Sequence, residues 1–495
     1  MYTDILNGIL SIFDPMVLLL MFGGMVVGLV LGILPGLSGL TGLAILIPLV
    51  FGMEKTQAFA LLMGMYAASS QGGSVTAILL NIPGTGPNAA TLLDGFPMTQ
   101  QGHAGRALGI SLAASAFGGL FGGVVLALSM PLLRPIVMAF GSPESFIIVL
   151  LGLAYIGVLA TASPLKGLIS GGFGVALSFI GYQEVSGHMR FTADSIYLFD
   201  GIRLVPMTLG LFGIPAAIDL IMSGSSISQA KIVHATASDM LEGFKDLFRH
   251  WRTFLLCSSI GTVIGIIPGV GGDVAAWVAY GSAKQASKHP EKFGTGCPEG
   301  VLAPESSTNA KEGGAMIPTL AFGIPGSAGM AVLLGAFLIV GLTPGPLLLR
   351  DHVDFVFSLV AILILGNVLG SVILALAATQ LVKVVNVPGT IMGPIILILV
   401  AMGAYSTAGN ILDVLSAFLI GVLGYAMRRA HFSSPALFLG YILGAMAESY
   451  FYLSLEAYGW MFLMRPIVLT LIVIGFFSLN YKWLGKLFKK TGRAA

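Results

Sequence analysis

The segment Gly32-Ile-Leu-Pro-Gly-Leu-Ser-Gly39 occurs a second time in this chain of 495 residues, as Gly265-Ile-Ile-Pro-Gly-Val-Gly-Gly272. The two copies lie 233 residues apart (265 minus 32). Proline removes a backbone donor, and the flanking glycines permit φ values that are closed to other residues, so a helix has to stop at each copy. Each copy therefore predicts a break between two half-helices.

A second motif follows each copy of the first. Gly72-Gly73 and Asn81-Ile-Pro-Gly-Thr85 return in the second half as Gly313-Gly314 and Gly323-Ile-Pro-Gly-Ser327. These copies lie 241 residues (313 minus 72) and 242 residues (325 minus 83) apart. Two motifs that recur in the same order at nearly one spacing predict an internal structural duplication.

The duplication predicts the domain organisation of the chain. A first membrane repeat covers 1–223 and a second covers 253–480, with a basic connecting segment at 224–252 and a basic tail at 481–495. The positive-inside rule places both basic segments in the cytoplasm. Whether the repeats are inverted stays open, because the number of crossings in each half is ambiguous.

The composition predicts a membrane protein. Apolar residues make up 56% of the chain and charged residues only 9%, whereas about 25% charged residues are usual in soluble domains. The net charge of +2 and the lack of a basic patch give no indication of nucleic-acid binding. Cys257 and Cys297 have no metal-ligand spacing, and no cofactor is expected. The first fourteen residues lack a cleavable signal, so we expect the N-terminus to belong to the mature protein.

Hydropathy predicts an all-α polytopic fold with about twelve transmembrane helices, several of them broken or re-entrant. A crossing needs about 20 apolar residues, and many apolar pieces are shorter, such as 57–69, 73–82 and 313–324. Non-helical backbone at membrane depth is tolerated only where protein or a water-filled cavity covers it. The main loops are expected in the polar stretches 84–104, 182–200, 224–252 and 284–312. The candidate crossings are 16–34, 105–130, 144–163, 203–222, 253–268, 352–382, 408–427, 433–450 and 460–480.

The breaks have a definite electrostatic character. A half-helix that starts after a break presents free N–H groups and the positive end of its dipole, which together bind anions. A half-helix that ends before a break presents free carbonyls, which suit Na⁺. Paired interrupted segments in corresponding halves indicate the midplane site of a transporter. The alternative is that the glycines, serines and threonines only allow helices to pack closely.

Charged residues in apolar surroundings are a second indication of function. Asp273 follows the second Gly-Gly break, and it is either a cation ligand, a proton acceptor or a helix N-cap. Asp219 and Glu448 are expected to pair with basic partners in a structural role. Arg106 and Lys311 flank the repeats, and each either neutralises a substrate carboxylate or serves as a membrane anchor or packing group.

The repeated motifs resemble those of the large membrane subunit of the tripartite tricarboxylate transporter family. The resemblance covers nearly the whole chain and is carried by 32–51, 72–98, 102–109, 265–281, 289–327 and 341–348. Three positions depart from the family pattern. Thr308-Asn309 stands where paired asparagines are usual, Gln71 replaces a tyrosine, and 449–452 lacks the basic residues that tend to follow Glu448.

The resemblance implies a secondary active transporter subunit that imports di- or tricarboxylates, or related organic acids, by symport with Na⁺ or H⁺. It also implies a small four-helix membrane subunit, a periplasmic solute-binding protein, and a location in the bacterial inner membrane. We expect the substrate carboxylates between the half-helix tips near 81–88 and 323–329. The predicted substrate-binding residues are Ser38, Ser74, Asn81, Gly84, Thr85, Asn88, Ser307, Asn309, Gly326 and Ser327. The predicted cation ligands are Gly36, Gly39, Gly269, Gly272, Asp273 and Thr308.

Two other classes of protein share single features with this chain. Gly36-Leu-Ser-Gly39 is similar to the Gly-x-Ser-Gly run of an intramembrane serine protease, but the histidines lie mostly in polar loops and a helix-borne base is missing. A passive anion channel would require a ring of charges or carbonyls around a pore. Matched breaks in two halves favour a carrier over both alternatives, so the chain is not expected to be an enzyme.

Overall fold

The computed structural model describes residues 2–34, 37–155, 163–183, 187–223, 237–267, 271–381, 389–406 and 408–473. Nearly all regular structure in these ranges is helical. The helices of the first half are α1 Tyr2–Ser11, α2 Pro15–Ile33, α3 Gly39–Leu46, α4 Lys55–Leu80, α5 Asn88–Gln100, α6 Ala104–Met138, α7 Ser142–Tyr155, α8 Pro164–Ser178, α9 Leu204–Thr208 and α10 Ile214–Ser223. A π-helical turn, Leu209–Gly213, joins α9 to α10.

The second half continues with the same kind of structure. Its helices are α11 Ala237–Arg249, α12 Trp251–Ile266, α13 Gly271–Ala286, α14 Pro298–Phe322, α15 Ala328–Ile339, α16 Pro346–Asp351, α17 Val353–Leu381, α18 Gly389–Ser406, α19 Ile411–Arg429 and α20 Ser434–Tyr458. Two short strands, Gly181–Tyr182 and Met189–Arg190, pair antiparallel in the described part of the chain.

Six stretches of helix in the described ranges are long and apolar enough to cross a membrane. This finding supports an all-α membrane protein, while the expected total of about twelve crossings stays a prediction. The spans at 144–163, 253–268, 352–382 and 460–480 extend in part into residues outside the described ranges. The six candidates are Pro15–Ile33, Ala104–Met138, Leu204–Met222, Val353–Ala377, Ile411–Arg429 and Ser434–Met464.

Two long helices at the centre of the protein differ from the sequence prediction. The expected short pieces 57–69 and 73–82 form one continuous helix, α4. The expected loop 284–312 is also wrong over its second part, because 298–312 is the start of α14. In α4, 21 of 26 residues are buried, and in α14 the number is 21 of 25. Hydropathy misses such helices because protein, and not lipid, surrounds their polar side chains.

Two other polar stretches also contain helices. The segment 84–104 includes α5, and 224–252 includes α11. Helix α11 has an apolar face, and its side chains Phe244 and Phe248 contact Phe117 of α6. An amphipathic helix such as α11 buries only one face, whereas α5 buries polar residues such as Asn88, Thr91 and Asp94, so the average polarity of both segments resembles that of a loop.

The central helices are approached very closely by their neighbours. Helix α2 packs along α4, and α12 packs along α14. A Cβ placed on Gly28 would lie 2.1 Å from the Met65 carbonyl oxygen, and one on Gly261 would lie 2.2 Å from the Ser307 carbonyl oxygen. Small residues permit this backbone-to-backbone packing in membrane helices. The halves also interlock, since α6 packs on α14 and α17 packs on α4.

The charged residues expected in structural pairs are paired. Arg190 donates to both oxygens of Glu448, at 2.7 and 2.8 Å, and Arg428 forms an ion pair with Asp219. Arg106 contacts the buried Asp246 of α11 at 2.6 Å, where it joins α6 to α11. Structural pairing is therefore confirmed for Asp219 and Glu448, and for Arg106 the geometry agrees with the packing alternative.

Asp94 of α5 fixes the loop that leads into α14. Its Oδ1 accepts hydrogen bonds from three backbone N–H groups, those of Gly294 and Gly296 at 2.9 Å and of Cys297 at 2.7 Å. Its Oδ2 accepts from the Tyr280 hydroxyl at 2.8 Å. The carboxylate is fully buried. One side chain thus joins α5, α13 and the start of α14.

We expect Asp94→Ala to destabilise the protein strongly. It leaves four donors without their acceptor, and each unsatisfied buried donor costs about 1–3 kcal/mol. Asp94→Asn keeps the oxygen that receives the three N–H groups, so its melting temperature in detergent should lie close to that of the wild type. Tyr280→Phe removes one bond only and should have a small effect. An Asp94→Ala variant that melts with the wild type would contradict this assignment.

Candidate functional site

A cavity of about 310 Å³ lies where the breaks of both halves meet. This volume is at the lower end of the range of ligand pockets, about 300–1,000 Å³, and suits a small organic molecule. Its lining includes residues from the predicted breaks of each half. The lining residues are Ser38, Gly39, Leu40, Tyr66, Ala67, Ser69, Ser70, Thr85, Gly86, Pro87, Gly272, Thr308, Asn309, Lys311, Glu312, Ser327, Ala328, Gly329 and Pro435.

Four helices begin at this cavity, two from each half of the chain. Helix α3 begins at Gly39 and α5 begins just after the lining segment 85–87. In the second half, α13 begins one residue before Gly272 and α15 begins at Ala328. Each helix start presents backbone N–H groups and a positive dipole end. The cavity is therefore surrounded by partial positive charge.

The helices that precede α5 and α15 end in the same way. Asn81 terminates α4 in the left-handed conformation, with φ of 59°, and Gly323 terminates α14 with φ of 69°. The next N–H group, of Ile82 or Ile324, then donates at 3.3 Å to the Thr76 or Pro318 carbonyl oxygen. In both ends the chain reverses after the αL residue, and the closing hydrogen bond joins residues six positions apart, one more than in a Schellman motif. Corresponding residues in the two ends lie 242 positions apart (323 minus 81).

The two Ile-Pro-Gly loops then fold against the first breaks. A Cβ on Gly84 would lie 2.4 Å from the Gly32 carbonyl oxygen. A Cβ on Gly326 would lie 2.6 Å from the Gly265 carbonyl oxygen and 2.6 Å from the Ala315 Cα. Only glycine fits at either position. The loops are therefore held at a spacing that brings the starts of α5 and α15 to the cavity wall.

One ion pair lies in the cavity wall. Lys311 Nζ contacts Glu312 Oε1 at 2.6 Å, and the two side chains are only 4% and 14% exposed. A Cβ on Gly272 would lie 3.5 Å from Lys311 Nζ, so this ammonium faces the start of α13. Among the described lining residues, Lys311 is the single lysine or arginine.

A buried polar network lies next to the cavity, around Glu305 of α14. Its carboxyl oxygens accept from the hydroxyls of Ser74 at 2.8 Å, Thr91 at 2.5 Å and Ser115 at 3.4 Å. The amide of Asn88 donates to Ser74 Oγ at 2.8 Å, and that of Asn309 donates to Ser115 Oγ at 3.0 Å. The network joins α4, α5, α6 and α14, and Asn309 connects it to the cavity surface.

The structure brings some predicted site residues to the cavity and places others elsewhere. Ser38, Thr85, Asn309 and Ser327 line it, as do Gly39, Gly272 and Thr308 from the cation set. The other predicted substrate-binding residues are absent from the lining in the described part of the chain. Ser74 and Asn88 belong to the Glu305 network, Asn81 ends α4, Gly84 and Gly326 pack on backbone, and Ser307 donates to the Ala275 carbonyl oxygen.

Three predicted cation ligands are incompletely described. Gly36 and Gly269 lie outside the described residues, and for Asp273 only the backbone is described, in the first turn of α13. The Thr308 hydroxyl donates to the Pro304 carbonyl oxygen at 2.8 Å. The role of these residues in cation binding therefore stays a prediction.

Sequence reasoning did not single out three residues that the structure places at or beside the cavity. These are Glu312, Glu305 and Tyr66, whose ring lies between Gly39 and Gly329 at the starts of α3 and α15. A signal was present for the two acids. Both acids lie within ten residues of Gly313-Gly314. The sequence predicted a loop at 284–312, and charged residues are expected in a loop, whereas in a buried helix they indicate function.

A multi-pass membrane protein with a small cavity at the starts of several interrupted helices belongs to the structural class of membrane transporters. Comparison with known proteins agrees with this class. Residues 18–439 match the model of the tripartite tricarboxylate transporter TctA family, and the chain belongs to this family. The family is one of transporters and not of enzymes.

Two relatives from Agrobacterium vitis are similar to the chain. The "Uncharacterized 52.8 kDa protein in TAR-I ttuC' 3'region" is 32% identical over 458 residues, which cover 92% of this chain and 90% of the relative. The "Uncharacterized protein in TAR-II ttuC' 3'region" is 34% identical over 219 residues, which cover 43% of this chain and 90% of the relative. No solved structure matches the chain.

Proposed function

We propose that this protein is the substrate-translocating subunit of a secondary carrier that imports a di- or tricarboxylate with a cation gradient. The observation that carries the proposal is the convergence of four helix N-termini and Lys311 on one cavity of about 310 Å³. Helix N-termini and an ammonium bind carboxylates through N–H donors and positive charge. The cavity has room for a small organic acid but for little more.

The proposed substrate position lies between the tips of the two halves. Thr85 and the start of α5 come from the first half, while Ser327 and the start of α15 come from the second. A substrate with carboxylates at both ends can engage both tips at once. This arrangement supports a polyanionic substrate, since a single carboxylate would leave one of the tips without a partner.

The two halves act as structural repeats, 1–223 and 253–480, in this proposal. The support lies in matched details: the Gly28 and Gly261 contacts, the ends of α4 and α14, and the Gly84 and Gly326 contacts. Repeats around a shared midplane site suit alternating access, in which one part of the protein moves against the other. A passive channel would not require such matched pairs of breaks.

The family assignment supports the remaining parts of the proposal. A tripartite system implies a small membrane subunit and a periplasmic solute-binding protein, and hence a location in a bacterial inner membrane. Symport with Na⁺ or H⁺ supplies the driving force. The basic segments 224–252 and 481–495 would face the cytoplasm under the positive-inside rule.

The experiment that tests the proposal is uptake of labelled citrate, tartrate and succinate into proteoliposomes. The protein is reconstituted with its small subunit and binding protein, under an imposed Na⁺ or pH gradient. Saturable uptake that requires a gradient and the binding protein is the expected result. Uptake that persists without a gradient would indicate a channel, and no uptake of any carboxylate would remove the proposed substrate class.

Ser327→Ala should lower uptake by about tenfold, the effect of losing one hydrogen bond to a charged substrate group. Asn309→Ala should also lower uptake, because the Asn309 amide donates to Ser115 Oγ and to the Glu305 carbonyl oxygen and so holds the cavity wall against the Glu305 network. Both residues line the cavity, and Ser327 also accepts from the Met330 N–H at 3.3 Å as the N-cap of α15. Ser327→Gly separates the two roles, because glycine at an N-cap costs only a few tenths of a kcal/mol. Wild-type kinetics in both alanine variants would contradict this site assignment.

A further inference from the structure

The ion pair in the cavity wall is unusual because Lys311 is buried and Glu312 is only 14% exposed, beside a cavity whose helix N-termini attract anions. Lys311 Nζ contacts Glu312 Oε1 at 2.6 Å, while Glu312 Oε2 is buried and has no hydrogen-bond partner among the described residues. Ser70 Oγ, which lines the same cavity, is likewise buried without a partner in the described part of the chain. Two buried oxygens thus lack a donor.

The positions of these oxygens correspond in the two halves. Under the spacing of 242 residues that relates the ends of α4 and α14, Lys311 corresponds to Ser69 and Glu312 to Ser70. All four residues line the cavity. The second half therefore carries a charge pair where the first half carries two hydroxyls, and the unpartnered oxygens belong to corresponding positions.

We propose that Lys311 and Glu312 are an exchange pair that couples substrate to Na⁺. A substrate carboxylate replaces Glu312 as the ion-pair partner of the Lys311 ammonium. The released Glu312 carboxylate and Ser70 Oγ then become ligands for Na⁺. The proposal rests on the proposed function and goes beyond it by assigning the coupling ion and its ligands. No group is transferred, and the net charge of the site after exchange is that of the substrate plus the bound cation.

Because the ion pair lies away from water, neither Na⁺ nor the substrate binds favourably without the other. Na⁺ alone would draw Glu312 away and leave a buried ammonium without a counter-ion, which is strongly unfavourable. The substrate alone would leave the Glu312 carboxylate uncompensated next to another anion, which is also unfavourable. Binding of Na⁺ therefore raises the affinity for the substrate, and binding of the substrate raises the affinity for Na⁺. Thermodynamic linkage requires these two increases to be the same factor.

The test uses equilibrium binding to the purified full chain and uptake in the complete three-component system. The probe is whichever of labelled citrate, tartrate or succinate the wild type takes up, with Na⁺ exchanged for choline at constant ionic strength. In the wild type, Na⁺ should raise substrate affinity by about tenfold or more. In Glu312→Gln, substrate should still bind, but its affinity should no longer depend on Na⁺, and Na⁺-driven uptake should be lost.

Two further variants keep the proposal testable if Glu312→Gln folds poorly. In Lys311→Gln, Na⁺ alone should raise the melting temperature, whereas in the wild type it should do so only with substrate present. In Ser70→Ala, more Na⁺ should be needed for half-maximal substrate binding, while the affinity at saturating Na⁺ stays unchanged. Glu291→Gln, at a 66% exposed side chain, is the matched control and should behave as the wild type.

The outcomes distinguish this inference from the proposed function. Full Na⁺ dependence in a folded Glu312→Gln variant would overturn the exchange pair while leaving the carboxylate carrier intact. Wild-type uptake that follows a proton gradient and ignores Na⁺ would overturn the assignment of the ion. Absence of carboxylate uptake by the wild type would instead overturn the proposed function itself.

Discussion

Gly326→Ala is expected to lower carboxylate uptake by about a hundredfold, the effect that a displacement of roughly 1 Å at a functional site can have. The new Cβ would lie 2.6 Å from both the Ala315 Cα and the Gly265 carbonyl oxygen, which are backbone atoms that cannot rotate away. The loop before α15 has to move, and the start of α15 moves with it. Uptake of labelled carboxylate into proteoliposomes measures the effect.

The corresponding glycine of the first half supplies a parallel test, and a glycine of α13 supplies a control. Gly84→Ala should fail in the same way, because its Cβ would lie 2.4 Å from the Gly32 carbonyl oxygen. Gly281→Ala, on α13, meets no atom within 4 Å and should be neutral or slightly stabilising. Normal uptake in Gly326→Ala would show that the position of this loop does not control the site.

Glu305→Ala should lower the free energy of unfolding by about 3 kcal/mol or more. The substitution removes the acceptor shared by Ser74, Thr91 and Ser115 and leaves a void between α4, α5, α6 and α14. These helices form the centre of the protein, so we expect little folded material. Yield on gel filtration in detergent and the melting temperature of the remaining fraction measure the loss.

Glu305→Gln is the matched variant for this prediction. Glutamine has nearly the same shape, and the surrounding hydroxyls can accept from its amide as well as donate to its oxygen. We therefore expect most of the stability to be retained. A Glu305→Gln variant as unstable as Glu305→Ala would contradict this interpretation, since it would mean that the negative charge itself holds the helices together.

The position of the cavity could be predicted from the sequence in part. The Pro-Gly motifs at 32–39 and 265–272 indicated where helices stop, because proline and glycine act on the local backbone whatever surrounds them. The starts of α3 and α13, and those of α5 and α15, lie close to these motifs and their partners. Local chemistry was therefore enough to place the four half-helix tips in the sequence.

The roles of individual polar side chains could not be predicted in the same way. Ser74 and Asn88 seemed equivalent to Ser38 and Thr85, yet the first two belong to the Glu305 network and the last two line the cavity. The difference is set by the rotation of α4 and α5 against their neighbours. A single sequence contains the order of the residues but not this rotation.

The sequence by itself determined that this chain is a membrane protein of the tripartite tricarboxylate transporter family with matched helix breaks in two halves. Composition indicates the membrane protein, the repeated Pro-Gly motifs indicate the breaks, and the sequences of the motifs carry the family resemblance. Only the tertiary structure decided that the segments 55–80 and 298–322 are continuous central helices, and that Lys311 and Glu312 meet in the cavity wall. The physical reason is that hydropathy reports contact with lipid, whereas these residues contact other helices, and their polar groups are satisfied by partners far away in the chain.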